Sequence, residues 1–219
     1  MYISYLGHSC FKLEGKETPA ILITDPFGDN YGLKVPRMEA DIVTVSHSHK
    51  DHSNTSAVKG CGENKYPFIV NLPGEYDIKG VLIYGIPSFH DKEGGKTRGG
   101  NIIFRIEIDE ISFAHLGDLG HPLSSFALEK LEGVDVLLIP IGGKYTINAK
   151  EASEIISQIE PRIVIPMHYK VDGTKELDDL ETIDKFLKEM GVSNTEITNK
   201  LKISKKDLPQ GTMQVVVMG

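Results

Sequence analysis

The chain has 219 residues, 40% hydrophobic and 25% charged, with a formal net charge of −7. This is the composition of an ordinary globular protein; its acidic balance carries no basic footprint for nucleic acid, and no run of about 18 apolar residues is present to span a bilayer. No linker-like stretch, repeat or low-complexity segment divides the chain, so a single domain over residues 1–219 is expected.

In chain order, residues 2–6, Phe11–Leu13 and Ile21–Thr24 alternate or run apolar as strands, broken by Gly15 and Pro26. Met1–Leu6 lacks the charged and apolar regions of a signal peptide, so a cytoplasmic location is expected. Ile42–Val45 is a β-branched run suited to a strand buried on both faces. Further strands are predicted at Phe68–Asn71, Tyr76–Lys79, Val81–Tyr84, Ile102–Ile108 and Ile111–Ala114. The second half alternates helix and strand. Helices are predicted near Ser124–Leu131, Ala149–Ile159 and Leu177–Met190, and strands at Val136–Pro140, Arg162–Pro166 and Val215–Val217. Ala152, Ile155, Ile156 and Ile159 recur at helical spacing and give the middle helix one apolar face. Cys10 and Cys61 form no disulfide framework and no C-x-x-C pair.

All eight histidines, His8, His47, His49, His52, His90, His115, His121 and His168, fall inside a few short motifs. Ser46-His47-Ser48-His49-Lys50-Asp51-His52 packs three imidazoles and a carboxylate into one loop after a buried strand. Imidazole and carboxylate are the ligands that borderline divalent metals favour. In an extended segment residues i and i+2 project to the same side, so His47 and His49 can clasp one ion. Asp51 and His52 lie further on, where a helix is expected to begin near Ser53, and can hold another. Each half-site then lacks ligands, and His90, Asp118 and His168 are the remaining candidates. Asp118 lies in Gly117-Asp118-Leu119-Gly120, where the glycines let the backbone come close and a carboxylate can bridge two cations. Two divalent ions per chain are expected, with zinc favoured and manganese, iron or nickel also compatible with the ligand set. The candidate ligands sit just after strands, where open α/β sheets build their sites.

These motifs resemble the metallo-β-lactamase-fold superfamily, whose signature is His47-x-His49-x-Asp51-His52, followed in order by His90, Asp118 and His168. Gly7-His8-Ser9-Cys10-Phe11, Thr24-Asp25-Pro26-Phe27, Pro73-Gly74-Glu75-Tyr76, Phe89-His90-Asp91, His115 to His121, and Ile165 to Tyr169 narrow the resemblance to a branch of small bacterial and archaeal metal-dependent hydrolases. That branch also resembles ascorbate-6-phosphate lactonase and the phospholipase-D-type members. The resemblance covers nearly the whole chain. It implies an α/β, four-layer αβ/βα sandwich: two facing mixed sheets, helices outside and metals at one edge. It also implies that His47, His49 and His90 hold the first ion, that Asp51, His52 and His168 hold the second, and that Asp118 bridges. Flavo-diiron relatives usually carry glutamate at the position of His49, which disfavours an iron redox role here. Related small hydrolases often form homo-oligomers.

The expected function is a binuclear metal-dependent hydrolase. A metal-bridging hydroxide, anchored and oriented by Asp51 and Asp118, would attack a carbonyl or phosphoryl centre of a small, anionic substrate, either a lactone or ester or a phosphodiester. The superfamily signature spans many chemistries and does not single out β-lactam cleavage. The alternative is a metal-stabilised binding or sensing module without turnover. His115 and His121 flank Asp118 and are candidates for proton donation, or for orienting ligands by hydrogen bonds. Asp25 fits a carboxylate that fixes the tautomer of a metal-bound imidazole; His8 lies behind the ligands or lines the cleft. Arg98 and Asn101, in Arg98-Gly99-Gly100-Asn101, and Tyr145, in Gly142-Gly143-Lys144-Tyr145-Thr146, are candidate substrate contacts, the guanidinium being suited to an anion. The latter segment lacks the G-x-x-x-x-G-K-[ST] pattern of a nucleotide phosphate loop.

Overall fold

A computed structural model describes residues 1–29, 32–171, 174, 177–193 and 195–219. The first sheet takes β1 (Tyr2–Gly7), β2 (Cys10–Glu14), β3 (Ile21–Thr24), β5 (Ile42–Thr44), β7 (Phe68–Val70) and β15 (Lys200–Lys202) in the order β15-β1-β2-β3-β5-β7. The second takes β8 (Gly74–Ile78), β9 (Val81–Phe89), β10 (Gly100–Ile108), β11 (Ile111–His115), β12 (Val136–Pro140), β13 (Ile163–Met167) and β16 (Gln214–Val215), in the order β16-β13-β12-β11-β10-β9-β8. β4 (Met38–Ala40) pairs with β6 (Val58–Gly60), and β14 (Ile197–Thr198) with β17 (Val217–Met218), each in parallel.

Side-chain alternation builds the layers. Ile3, Phe11, Leu13, Leu22 and Ile42 of the first sheet meet Ile83, Phe104, Ile106, Phe113, Leu138 and Ile165 of the second in one buried core. Val43, one residue after Ile42, faces the other way, toward Cys10, Ile23, Phe27, Met38 and Val58. The outer layer over the first sheet is therefore the β4–β6 pair and its loops. Over the second sheet, Ala152, Ile155, Ile156 and Ile159 of α2 (Ala149–Ile159) and Phe186 of α3 (Ile183–Glu189) cover Leu137, Ile139 and Val164, next to Ala127 of α1 (Ser125–Lys130). The two facing mixed sheets are the sandwich implied by the resemblance; among the described residues the helices cover only the second sheet, and a strand pair with its loops takes their place over the first. β11, β12 and β13 are buried along their whole length, as a sheet covered on both faces requires.

Pairing directions place the site. β2 is antiparallel to both β1 and β3, and β3 is parallel to β5, so β1, β3 and β5 run the same way. β10 is antiparallel to both β9 and β11, and β11, β12 and β13 are parallel, so β9, β11 and β13 also share a direction. Six strands, three from each sheet, thus offer their C-terminal ends to loops that carry the candidate residues.

Several elements differ from expectation. The third helix begins at Ile183, not Leu177, because the backbone around Glu181 is taken up elsewhere: its N–H donates to the Gly142 carbonyl and its carbonyl accepts from Lys170. The expected strand Val215–Val217 is two strands, since the Val216 N–H pairs with Val164 between β16 and β17. No α-helix starts at Ser53; a short 3-10 turn spans Thr55–Ala57. β9 continues past Gly85, the last residue paired with β8, through Pro87, where β8 no longer pairs beside it and an edge tolerates proline. β4, β6, β14 and β15 are too short to leave a periodic signal. The tight turns Lys79-Gly80 and Asp109-Glu110 both carry two positive φ angles, the backbone that matches strand twist in two-residue hairpins. Among the described residues no helix is long and apolar enough to cross a membrane.

Candidate metal centre

The six strand ends converge. His8 follows β1, Asp25 follows β3, the loop 46–52 follows β5, His90 follows β9, Asp118 follows β11 and His168 follows β13. His8, Asp25 and His168 are each the first residue past their strand, and each has positive φ, at 55°, 38° and 53°. Such backbone costs a non-glycine residue about 1–3 kcal/mol and is held only where the surroundings impose it. Three strained exits at one edge turn His8 and His168 into one ligand group and set Asp25 behind it.

Among the described residues, three groups have ligand-type atoms within 4.8 Å of one another: His47, His49 and His90; His8, Asp51, His52 and His168; and Asp25, His47 and His52, in which Asp25 is hydrogen-bonded behind the other two. The first two are the candidate ligand groups. Asp118 stands between them. Its Oδ2 is 3.1 Å from Nε2 of His90 in the first group and 3.1 Å from Nε2 of His168 in the second, while Oδ1 is 3.3 Å from Nε2 of His52. His49 is exposed, whereas His47, His90, His52, His168 and Asp118 are buried. Gly117 has φ 55°, and a Cβ there would lie 2.4 Å from Asn101 Oδ1. A Cβ on Gly120 would lie 2.5 Å from the His90 carbonyl carbon. The turn that carries Asp118 can approach the ligands only because both positions are glycine.

A hydrogen-bond relay behind the cavity orients the rings. His52 Nδ1 donates to Asp25 Oδ2 at 2.9 Å, and Ser46 Oγ donates to the same oxygen at 2.5 Å. The Ser46 hydroxyl then accepts from His47 Nδ1 at 2.9 Å, and the Ser46 N–H donates to Asp25 Oδ1 at 2.8 Å. One buried carboxylate therefore fixes the Nδ1 protons of two histidines and leaves both Nε2 atoms facing inward. Burial pushes His47 down to about 3, with the charge of His52 adding to the effect. His8 is lowered to about 4, by burial first and then by His168. Burial would also lower His52, but Asp118, Asp25 and Asp51 outweigh it and raise the group to about 9. Burial opposes ionisation of Asp118, yet His168 and His52 hold it well below the usual carboxylate range. Asp51 is likewise held low, against burial, by His8 and His52.

The donor set fits divalent metal. His8 Nδ1 and Nε2, His47 Nε2, His52 Nε2 and Asp118 Oδ1 are buried without a hydrogen-bond partner. Buried polar atoms are rarely left so, and each costs about 1–3 kcal/mol. Those of His8, His52 and Asp118 meet around one ligand group, where a cation would satisfy them.

The other expected residues sort clearly. Asp25 stands behind His52, as expected for a tautomer-fixing carboxylate. Asn101 lies behind Asp118: its Oδ1 accepts from the Asp118 N–H at 2.9 Å, and its Nδ2 donates to Ser88 Oγ and the Leu116 carbonyl. Asn101 is buried, so it positions Asp118 and does not face a substrate. His115 and His121 both bond to backbone. His115 Nε2 donates to the Ser9 carbonyl, and Nδ1 accepts from the Gly117 N–H. His121 Nδ1 donates to the Pro122 carbonyl, and Nε2 accepts from the Phe89 N–H. Both rings spend both nitrogens on backbone, so they hold loops in place. A cleft of about 170 Å³ opens over the cavity, lined by His49, Asp51, His90, Arg98, Asp118, Tyr145 and His168. The Arg98 guanidinium lies 4.5 Å from the Tyr145 ring centroid. Its loop is tied down by Asp91, whose carboxylate accepts from the N–H groups of Glu93, Gly95, Thr97 and Arg98. Sequence reasoning assigned no role to Ser46 or Asp91. A hydroxyl beside His47, and an aspartate before Gly94-Gly95, were the available signals. A larger hollow of about 610 Å³, lined in part by Ile156, Arg162 and Met213, holds none of the His and Asp groups able to take a metal.

The family described as the beta-lactamase superfamily domain matches residues 2–168. The chain belongs to this superfamily. It is similar to a protein named UPF0173 metal-dependent hydrolase from Thermococcus onnurineus, 30% identical over 191 residues, covering 76% of this chain and 84% of the relative. A protein of the same name from Methanoculleus marisnigri is 33% identical over 189 residues, covering 77% and 81%. Among solved structures, a protein of the metallo-beta-lactamase superfamily from Thermotoga maritima, described as a Zn-dependent hydrolase, superposes with a TM-score of 0.79 at 37% identity, over 99% of this chain and 97% of that one. Igni18, a metallo hydrolase from Ignicoccus hospitalis, shares the fold with a TM-score of 0.67 at 19% identity, over 93% and 99%.

Proposed function

We propose that the protein is a binuclear metal-dependent hydrolase of a small anionic substrate. The observation that carries this reading is the placement of Asp118 Oδ2, 3.1 Å from an imidazole nitrogen of each ligand group. This supports a carboxylate shared by two cations. His47, His49 and His90 would hold one ion, His52, His168 and Asp51 the other, and zinc suits this nitrogen-rich set. The pair supplies an acidified water as nucleophile and polarises the oxygen under attack. Asp118 and Asp51 keep their negative charge in the cavity and so favour two cations over one. Asp25 and Ser46 hold His52 and His47 in the ligating tautomer. The Arg98 fork, stacked on Tyr145, lies in the cleft wall where it can pair with a carboxylate or phosphate of the substrate. The cleft suits a small lactone or ester, or a small phosphodiester.

The test is turnover by zinc- or manganese-restored protein on bis(p-nitrophenyl) phosphate and on a panel of lactones. His49→Ala is the partner variant, because His49 is the exposed member of the ligand set and its loss spares the core. Chelator-sensitive turnover on one panel, abolished in folded His49→Ala, is the expected result. Turnover that survives His49→Ala at equal metal content overturns the two-ion mechanism.

A further inference from the structure

His8 is the residue that the two-ion reading leaves without work. Its side chain is 1% exposed, and neither ring nitrogen has a hydrogen-bond partner. A histidine packed only to fill space would satisfy at least one nitrogen, as His115 does against Ser9. Instead the chain exits β1 with φ 55°, which turns the His8 ring into the cavity. The ring centroid lies 4.1 Å from that of His168 and 5.0 Å from that of His52. The His8 carbonyl accepts from the His168 N–H, so the two strained exits brace each other.

Two distances to Asp51 are longer than a good hydrogen bond. His8 Nε2 is 3.5 Å from Asp51 Oδ2, and His52 Nε2 is 3.6 Å from the same oxygen. Good hydrogen bonds of this kind are about 2.7–3.2 Å. Ligands held about 2.0–2.1 Å from a tetrahedral zinc stand about 3.3–3.4 Å apart along each edge. The two distances to Asp51 are nearer that edge than to a hydrogen bond, and all four residues offer ligand atoms within 4.8 Å of one another.

We propose that His8 is a ligand of the second ion, together with Asp51, His52 and His168. This inference rests on the two-ion reading and adds a further side chain to its second ion, beside the Asp118 bridge. Both ligand groups reach the cleft, the first through His49 and His90 and the second through Asp51 and His168, while His8 does not line it and would hold the ion from the buried side.

The test is metal binding, independent of turnover. Protein stripped by chelator is titrated with zinc against a chromophoric competitor, and with cobalt to read coordination from its visible spectrum. Wild type should show two binding events. His8→Ala should keep one at wild-type affinity and weaken the other at least about tenfold, with a changed cobalt spectrum for that site alone. His8→Asn, whose side chain tolerates the left-handed backbone, guards against a folding defect and should show the same loss. Two undisturbed events in either folded variant overturn the assignment of His8 and leave the two-ion reading intact. One event or none in wild type overturns both. In metal-loaded crystals, Nε2 of His8 should lie about 2.0–2.1 Å from an ion; a separation beyond hydrogen-bond range overturns the proposal.

Discussion

Asp25 Oδ2 accepts the Nδ1 proton of His52 at 2.9 Å, and this contact decides which nitrogen of His52 faces Asp118. The same oxygen takes the Ser46 hydroxyl, which in turn takes His47 Nδ1. One carboxylate outside the cavity therefore prepares one ligand from each group. Asp25→Asn should lower zinc affinity roughly 10–100-fold while the protein stays folded. Competition titration measures it. Unchanged affinity for both ions would separate Asp25 from the metal centre.

The metal-free protein should release protons on binding zinc. Burial lowers His52, yet Asp118, Asp25 and Asp51 raise it to about 9, so below that pH its Nε2 carries a proton that an ion must displace. Apparent zinc affinity should rise with pH up to about 9. Calorimetry in buffers of different ionisation enthalpy counts the protons. Binding with no proton release near pH 7 would contradict the electrostatics described here.

Gly120→Ala should damage the centre through space alone. The new Cβ would meet the backbone of His90 and Asp91 at 2.5–2.6 Å. Relief requires the Asp118 turn or the His90 loop to move, at a cost of about 1–3 kcal/mol. Thermal unfolding and metal content should both fall; a variant with wild-type metal content and stability would show that the close approach is dispensable.

Arg98→Ala should raise KM for anionic substrates about 10-fold or more and leave kcat nearly unchanged, since it removes a charged hydrogen-bond donor from the cleft wall and no metal ligand. Lysine should not restore it, because an ammonium cannot reproduce the planar fork. Equal KM for charged and neutral substrates in Arg98→Ala would remove Arg98 from recognition.

Asp109 gives a stability prediction away from the site. Its carboxylate accepts from the N–H groups of Lys16, Glu17 and Thr18, and burial, which opposes ionisation, is outweighed by them, so its pKa is lowered. A lowered folded pKa means stability that is present above the unfolded value, about 3.9, and lost as pH falls through the folded one. Asp109→Asn should destabilise by about 1 kcal/mol near neutral pH, after allowing for solvent screening, and by less below about pH 4. Urea unfolding at both pH values checks it. A constant difference would show that ionisation is irrelevant.

The site was legible where chemistry and chain order coincide. The 46–52 loop follows a strand short and apolar enough to be buried on both faces, and a cluster of imidazoles there has few other uses. Asp118 was legible because glycines flank it. The roles of His8, His115 and His121 were not, because they depend on side-chain direction. His115 is the last residue of β11 and points across to Ser9 of the opposite sheet; His8 is one residue past β1 and is turned by a single positive φ. Neither direction leaves a trace in residue type or spacing. The third helix was read too early because Leu177 and Leu180 are buried at helical spacing, while the competing backbone bonds to Gly142 and Lys170 come from distant sequence.

The central claim is two ions per chain sharing Asp118. Elemental analysis of protein purified without added metal and then restored with zinc tests it most directly, alongside the Asp118→Ala variant. About two ions per wild-type chain, with loss of metal in Asp118→Ala, is the predicted result. Less than one ion per wild-type chain after restoration would contradict the account.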